Sequence, residues 1–366
     1  MTYILDGLKL PWHLDRVHAW ERGERIPPIT MDVAWTTRCN AKCSFCAAAY
    51  QTGQRTSIPT DRIKMLLEDA AEIGVKGMVT MSDGESTLHP FWPESIQMGK
   101  SLGMDMAAAS NGFLLVPELA DKVLPYLTYL RINFSAGEPA RYSEIMGVPV
   151  SWFHRVSDNI RYMTAQKRKL GFSVTINMNM VLHPENADQI LPFARLGKEL
   201  GVDYAIIKHC LDYTGGPLGV DYAKYEKLQP LIAEAEALST PDYLVTAKHH
   251  MMAAGAVASC ERCYGPSFLL QTSGSGLLGA CGPLFAPQYK EKYHIGNICD
   301  TRLRDLWASP RYKEVMDYLR SDDFVKTRVC RNYLCVQRNL NEALSEHLKG
   351  NRIQAGGEPP MHINFI

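Results

Sequence analysis

The chain has 366 residues, of which 46% are hydrophobic and 21% charged, a composition typical of a folded protein with an apolar core. Its formal net charge is +0, so no overall field attracts it to nucleic acid or to an anionic membrane surface. Because no apolar run reaches the roughly 20 residues of a membrane span and the first residues lack a signal-peptide pattern, we expect a cytoplasmic protein.

A regular alternation of strand and helix signals begins after residue 28. Short apolar, β-branched runs predict strands at residues 29–37, 77–83, 104–110, 129–137, 172–182 and 202–210. A helix pattern follows each of them, the last at residues 222–238. This alternation predicts an α/β fold with a parallel sheet and right-handed crossovers. Six repeats favour a partial (β/α)6 TIM-like barrel, and a doubly wound open sheet is the alternative.

The composition changes near residue 255, where glycine and cysteine become more frequent. Residues 267–282 predict a β-hairpin with a Ser-Gly-Ser-Gly turn. We therefore predict four segments: an N-terminal arm at residues 1–28, the barrel at 29–254, a small cysteine-rich domain at 255–350 and a polar tail at 351–366.

The ten cysteines fall into two groups. Three lie within eight residues, at Cys39, Cys43 and Cys46, and six lie between residues 260 and 335, with only Cys210 between the groups. Disulfides rarely persist in a reducing compartment, so this spacing indicates two sets of metal ligands.

The first group places three thiolates in one loop, with three and then two residues between them. Thiolates are soft ligands that select iron–sulfur clusters or zinc. A structural zinc site usually has four protein ligands, whereas three thiolates on a cubane cluster leave one iron open for a substrate or cofactor.

The C-x-x-x-C-x-x-C motif after a first barrel strand resembles that of the radical S-adenosylmethionine (SAM) superfamily. The resemblance implies that Cys39, Cys43 and Cys46 hold a [4Fe-4S] cluster whose open iron binds SAM. It also implies reductive cleavage of SAM, with electrons from a donor such as flavodoxin or ferredoxin. The product is a 5′-deoxyadenosyl radical that abstracts a hydrogen atom from the substrate.

Further segments between residues 29 and 210 resemble the SAM-binding segments of this superfamily. The stretch 82–85 resembles its Gly-Gly-Glu segment, whose main chain contacts the methionine amino group, although aspartate replaces glycine at position 83. Residues 110–112 resemble the segment that follows the third strand in this superfamily. Residues 135–137 resemble the segment that follows the fourth strand and contacts the ribose. The superfamily also has an aromatic residue before the third cysteine, which normally packs near adenine. The resemblance implies these SAM-binding residues: Phe45, Ser82, Asp83, Gly84, Glu85, Asn111 and Ser135.

In the second group, Cys263 and Cys281 bracket the predicted hairpin, and Cys330 and Cys335 follow. Four thiolates fully ligate a [4Fe-4S] cluster, although they also suit structural zinc. The region resembles the auxiliary-cluster domain called SPASM, or its shorter form twitch, and the shorter form with one cluster fits better. Cys260 is the alternative ligand to Cys263.

A fully ligated second cluster favours oxidation by accepting an electron, whereas an epimerase needs a hydrogen-atom donor, for which Cys210 after the sixth strand is the candidate. We expect oxidation or epimerisation of a small polar metabolite of the sugar or aminocyclitol type. The alternative is an epimerase or crosslinking maturase acting on a ribosomally made peptide, although the arm is too short for a separate leader-binding domain. A non-catalytic iron–sulfur or zinc-binding protein is the further alternative.

Overall fold

A ten-stranded sheet organises the chain in this computed structural model, which describes residues 3–46, 48, 55–81, 83–212, 216–253, 260–330 and 335–366. The strands are β1 Thr30–Val33, β2 Gly77–Thr80, β3 Asp105–Ser110, β4 Leu127–Asn133, β5 Thr175–Leu182, β6 Tyr204–His209, β7 Leu244–Ala247, β8 Leu269–Thr272, β9 Leu277–Gly279 and β10 His294–Asn297. The helices are α1 Leu14–Glu21, α2 Thr60–Ile73, α3 Trp92–Ser101, α4 Pro117–Val123, α5 Pro139–Met146, α6 Ser151–Leu170, α7 Ile190–Leu200, α8 Lys224–Glu236, α9 His249–Ala253, α10 Lys290–Tyr293, α11 Leu303–Ala308, α12 Pro310–Arg320, α13 Asp322–Thr327 and α14 Arg338–Leu348.

Strands β1 to β7 lie side by side in chain order, and each pairs in parallel with the next. Helices connect successive strands, as right-handed crossovers in a parallel sheet require. This arrangement confirms the predicted α/β partial barrel. The sheet continues one strand further than the six predicted repeats, because β7 pairs with β6 although it is only four residues long.

The predicted hairpin at residues 267–282 forms from β8 and β9, which pair in antiparallel fashion. Strand β8 also pairs in parallel with β1, so the hairpin extends the barrel sheet. Its turn packs against the backbone that follows β1. A Cβ atom at Gly274 would lie 2.1 Å from the carbonyl carbon of Thr36, so this close approach requires glycine.

The arm and the tail both pack against the barrel. In α1, Val17 and Trp20 share an apolar cluster with Phe268 and with Leu344 of α14. The tail is mostly exposed at residues 351–359, but His362 and Phe365 are buried. The prediction of a polar tail is therefore wrong for residues 360–366, because this end of the tail supplies side chains that fill space beneath the sheet.

Hydrogen bonds place the end of the tail at the amino-terminal ends of the barrel strands. The Thr30 hydroxyl at the start of β1 donates to the carbonyl oxygen of Asn364 at 2.9 Å. The His362 imidazole bonds to the hydroxyl of Thr175, the first residue of β5, at 2.9 Å. The tail therefore closes the side of the barrel opposite the strand ends that carry the cysteine loop.

An ion pair links barrel helix α2 to the cysteine-rich segment. Asp69 is fully buried, and both of its carboxylate oxygens accept hydrogen bonds from the Arg302 guanidinium, at 3.1 and 3.0 Å from Nε and 2.5 Å from Nη2. We expect Asp69→Ala to lower the free energy of unfolding by about 2 kcal/mol, below the usual cost of breaking a buried pair because Arg302 is partly exposed. Anaerobic urea denaturation would measure the change.

The matched control is Glu72→Ala, which removes a more exposed ion pair with Arg304 at 2.9 Å. Exposed pairs contribute less than about 1 kcal/mol. Equal losses of unfolding free energy in the two variants would show that the buried Asp69 pair stabilises the fold no more than the exposed Glu72 pair.

Candidate active site

The first cysteine group occupies the loop after β1. A hydrogen bond of 2.9 Å from the Ser44 amide to the carbonyl oxygen of Ile145 attaches this loop to α5. All three thiols line one cavity of about 420 Å³ at the carboxyl-terminal ends of the strands: Cys39, Cys43 and Cys46. Parallel αβ barrels carry their chemistry at this end.

The chemistry of these three thiols fits an iron–sulfur cluster. Burial raises the pKa of the Cys43 thiol far above its usual range, and the neighbouring Cys46 and Cys39 raise it further. Burial also raises the pKa of Cys39. Three adjacent thiolates in a buried site repel one another unless cations neutralise their negative charge, and the iron ions of a cluster would supply that positive charge.

Glu85 joins the ends of β2 and β3 beside this loop. Its buried carboxylate accepts hydrogen bonds from the Thr87 hydroxyl at 2.6 Å, the Ser110 hydroxyl at 2.9 Å and the Asn111 amide at 2.7 Å. Burial raises the pKa of Glu85. The Asn111 side chain in turn donates to Asn40 Oδ1 at 2.7 Å, inside the cysteine motif. Sequence reasoning missed Asn40, because a lone polar residue between two cysteines gives no signal of its own.

Asp83 explains the departure from the Gly-Gly-Glu pattern. Its carboxylate accepts hydrogen bonds from the Ser273 hydroxyl at 2.5 Å and from the Gly274 amide at 2.8 Å. Both donors belong to the turn between β8 and β9. The aspartate therefore attaches the predicted SAM-binding loop to the hairpin of the cysteine-rich segment.

The structure brings most of the predicted SAM-binding residues together. The cavity that holds the three thiols is also lined by Phe45, Asp83, Gly84, Glu85 and Asn111. Ser135 is fully buried outside this lining, and its hydroxyl accepts a hydrogen bond from the Val181 amide at 3.1 Å. Ser82 lies outside the described residues.

Cys210 does not line this cavity. It is fully buried at the end of β6, where its amide donates to the carbonyl oxygen of Leu182 at 2.8 Å. Burial, followed by the charge of Asp212, raises the pKa of its thiol to about 12. Its role as a hydrogen-atom donor stays a prediction.

The second cysteine group meets in another, mainly apolar cavity. Four of its thiols line this cavity: Cys263, Cys281, Cys330 and Cys335. Burial raises the pKa of Cys263 and Cys281 well above the usual range, and their cysteine neighbours raise it further. Cys260 is also buried but does not line the cavity. This placement fits a four-thiolate cluster with Cys263 as the ligand.

Asn341 is a second residue that sequence reasoning missed. Its side-chain amide lies 3.6 Å from the sulfur atoms of both Cys263 and Cys335, as a hydrogen-bond donor. Its oxygen accepts from the amides of Tyr264 at 2.6 Å and Gly265 at 2.8 Å, which fix its orientation. Hydrogen bonds to cluster thiolates help to set reduction potential.

Both groups of thiols line cavities. Across the described parts of the chain, no three His, Cys, Asp or Glu side chains converge on the position of a single metal ion. No described helix has the length and apolar character needed to cross a membrane.

Comparison with known proteins agrees with this geometry. The sequence profile of the Radical SAM superfamily matches residues 33–197, and that of the SPASM iron–sulfur cluster-binding domain matches residues 250–335. An AdoMet-dependent heme synthase of Methanosarcina barkeri is 25% identical over 330 residues, which are 80% of this chain and 86% of that protein. A PqqA peptide cyclase of Xanthomonas campestris is 25% identical over 192 residues, covering 52% of this chain and 49% of the cyclase.

The fold also occurs in solved structures. Streptococcus suis SuiB bound to its precursor peptide SuiA superposes with a TM-score of 0.63 at 14% identity, covering 88% of this chain and 78% of SuiB. Fold and thiol sites together define an iron–sulfur enzyme built on a partial barrel. The chain belongs to the radical SAM superfamily and carries a C-terminal SPASM-type auxiliary-cluster domain. Its cofactors are SAM, the SAM-binding [4Fe-4S] cluster and an auxiliary [4Fe-4S] cluster.

Proposed function

We propose that this enzyme modifies a peptide by an oxidative reaction that forms a crosslink. The similarity to a PqqA peptide cyclase supports a peptide substrate. The sugar or aminocyclitol substrate that we expected from the sequence has no support among the relatives described above. The length of the arm, which counted against a peptide, says nothing about how a peptide would bind to the barrel itself.

One observation about the cavity carries the oxidative part of the proposal. Gly282 and Pro283 follow Cys281 directly in the chain, and both line the cavity that contains Cys39, Cys43 and Cys46. A substrate in this cavity would therefore lie beside a ligand of the auxiliary cluster. An electron acceptor next to the substrate favours oxidation over the return of a hydrogen atom.

When bound, SAM and the two clusters supply one-electron cleavage, hydrogen-atom abstraction and an acceptor for the second electron. The chain supplies binding and orientation. Asn179 lines the cavity and is buried, and its Nδ2 donates to Asn133 Oδ1 at 2.6 Å, while its own Oδ1 has no partner among the described residues. A buried acceptor without a donor costs about 1–3 kcal/mol.

A library of synthetic peptides, incubated anaerobically with reconstituted enzyme, SAM and reductant, would test the proposal. Crosslinked peptides should lose the mass of two hydrogen atoms, which mass spectrometry detects directly. The Cys39→Ala/Cys43→Ala/Cys46→Ala variant is the control and should leave every peptide unchanged. Deuterium uptake from D2O without net oxidation would indicate epimerisation instead. Oxidation of sugars or aminocyclitols, with all peptides unmodified, would overturn the peptide proposal.

A further inference from the structure

The cavity lined by Cys39, Cys43 and Cys46 is called the SAM cavity below. A second cavity of about 360 Å³ adjoins it, and the two share Asp32, Arg131 and Lys208 in their linings. The second cavity is lined by residues of the barrel strands, the segment after β7, the first turn of α14, the arm and the end of the tail. Four cationic side chains define it, and we call it the basic chamber: Lys9, Arg131, Lys208 and Lys248.

The cationic side chains of the basic chamber outnumber its carboxylate side chains, which are Asp6 and Asp32. Asp32 accepts a hydrogen bond from Gln271 at 2.9 Å, and burial raises its pKa to about 6. The Lys9 ammonium group donates to the carbonyl oxygen of Phe365 at 2.6 Å. Among the described residues, the ammonium groups of Lys208 and Lys248 make no hydrogen bond or ion pair, and the buried Arg131 Nε has no partner. The chamber therefore has more cationic than carboxylate side chains.

Other titratable groups in the lining do not offset this charge. Burial lowers the pKa of His209 and His362 to about 3, and it also lowers the pKa of His250. Burial raises the pKa of Tyr129 to about 12 and that of Tyr204 further. These side chains are neutral at physiological pH. The further cation, Arg338, already pairs with Glu342 at 2.8 Å.

Unpaired buried cations are costly, and the amine groups respond by releasing protons more readily. Burial lowers the pKa of Lys9 to about 7 and that of Lys248 to about 8, and it lowers the pKa of Lys208 well below its usual value. Neighbouring cations, Arg131 among them, lower all three pKa values further. An anion bound in the chamber would offset both the desolvation cost of the ammonium groups and the repulsion between the cations.

We infer that the basic chamber binds a carboxylate group of the substrate, beside the cavity in which the hydrogen atom is removed. This inference rests on the proposed function, so the carboxylate belongs to an acidic side chain or to the terminus of the peptide. The start of α14 in the lining adds the positive end of a helix dipole. Arg131 and Lys208 line both cavities and would hold the carboxylate at their junction.

Calorimetric titration of the reconstituted holoenzyme with SAM would test the chamber without any peptide. Glutarate is the probe, glutaramide its neutral match and inorganic phosphate the competing oxyanion. We expect glutarate to bind, glutaramide not to bind, and Lys208→Met to weaken glutarate binding by about tenfold or more, as loss of a charged hydrogen bond does. Lys198→Met, an exposed lysine on α7, is the control and should not change the affinity.

Two further readouts separate ligand binding from a structural role. Glutarate affinity should fall as the pH rises from about 7 to 9, because the bound state needs protons on Lys9 and Lys248 that the free state loses in this range. Without ligand, Lys208→Met should raise the melting temperature, since it removes an unpaired buried cation. A structural lysine would give the opposite result.

Tighter binding of phosphate than of glutarate, or glutarate binding unchanged by Lys208→Met, would overturn the inference. The two proposals can fail separately. Glutarate binding together with the absence of any peptide modification would overturn the proposed function and leave the anion site assigned.

Discussion

An enzyme in which Cys39, Cys43 and Cys46 are all replaced by alanine is expected to cleave no SAM. The three thiols line one cavity, and burial together with mutual repulsion makes them unfavourable as free thiolates. Without them nothing in the loop can hold the SAM-binding cluster. Iron analysis should show a loss of about four irons per chain, as expected for one cubane cluster, and chromatography should detect no 5′-deoxyadenosine.

Cys299→Ala is the matched control for this variant. Cys299 is half-buried and lines none of the cavities described here; its amide donates to Asn297 Oδ1 at 2.8 Å. Its loss should leave both iron content and SAM cleavage unchanged. Formation of 5′-deoxyadenosine by the triple variant would show that the cleavage site lies elsewhere.

Cys281→Ala is expected to stop product formation while SAM is still cleaved. Cys281 lines the auxiliary cavity, and the two residues after it line the SAM cavity. Losing this ligand should release the auxiliary cluster, about four irons per chain, without touching the first cysteine loop. Iron analysis, 5′-deoxyadenosine and peptide product, measured on the same sample, would separate cleavage from coupled turnover.

Cys260→Ala and Cys263→Ala form a control pair for the auxiliary site. Cys263 lines the auxiliary cavity and Cys260 does not, although only two residues separate them. Cys263→Ala should therefore resemble Cys281→Ala, whereas Cys260→Ala should keep its iron and its product. The reverse result would make Cys260 the ligand and would move the auxiliary cluster away from the cavity seen here.

Local sequence was sufficient for the fold class and for the first cysteine loop. Strand and helix signals depend on periodicity within short windows, and the thiol spacing of residues 39–46 is a property of one loop. The resemblance to known motifs added the SAM-binding segments. It could not show that the Ser135 hydroxyl accepts a hydrogen bond from the Val181 amide, because contacts between neighbouring strands lie outside a local window; the contact of Ser135 with the ribose stays a prediction.

The sequence by itself determined the alternating α/β order, the three-thiol loop and the presence of a second thiol group. Only the tertiary structure decided how the parts meet: the hairpin joins the barrel sheet, Asp83 bonds to a turn 190 residues away, and Asp32 meets Gln271 across 239 residues. It also placed the end of the tail and four distant cations around one chamber. The physical reason is range, because spacing and periodicity report contacts within a segment, whereas a cavity is lined by residues that folding brings together from many segments.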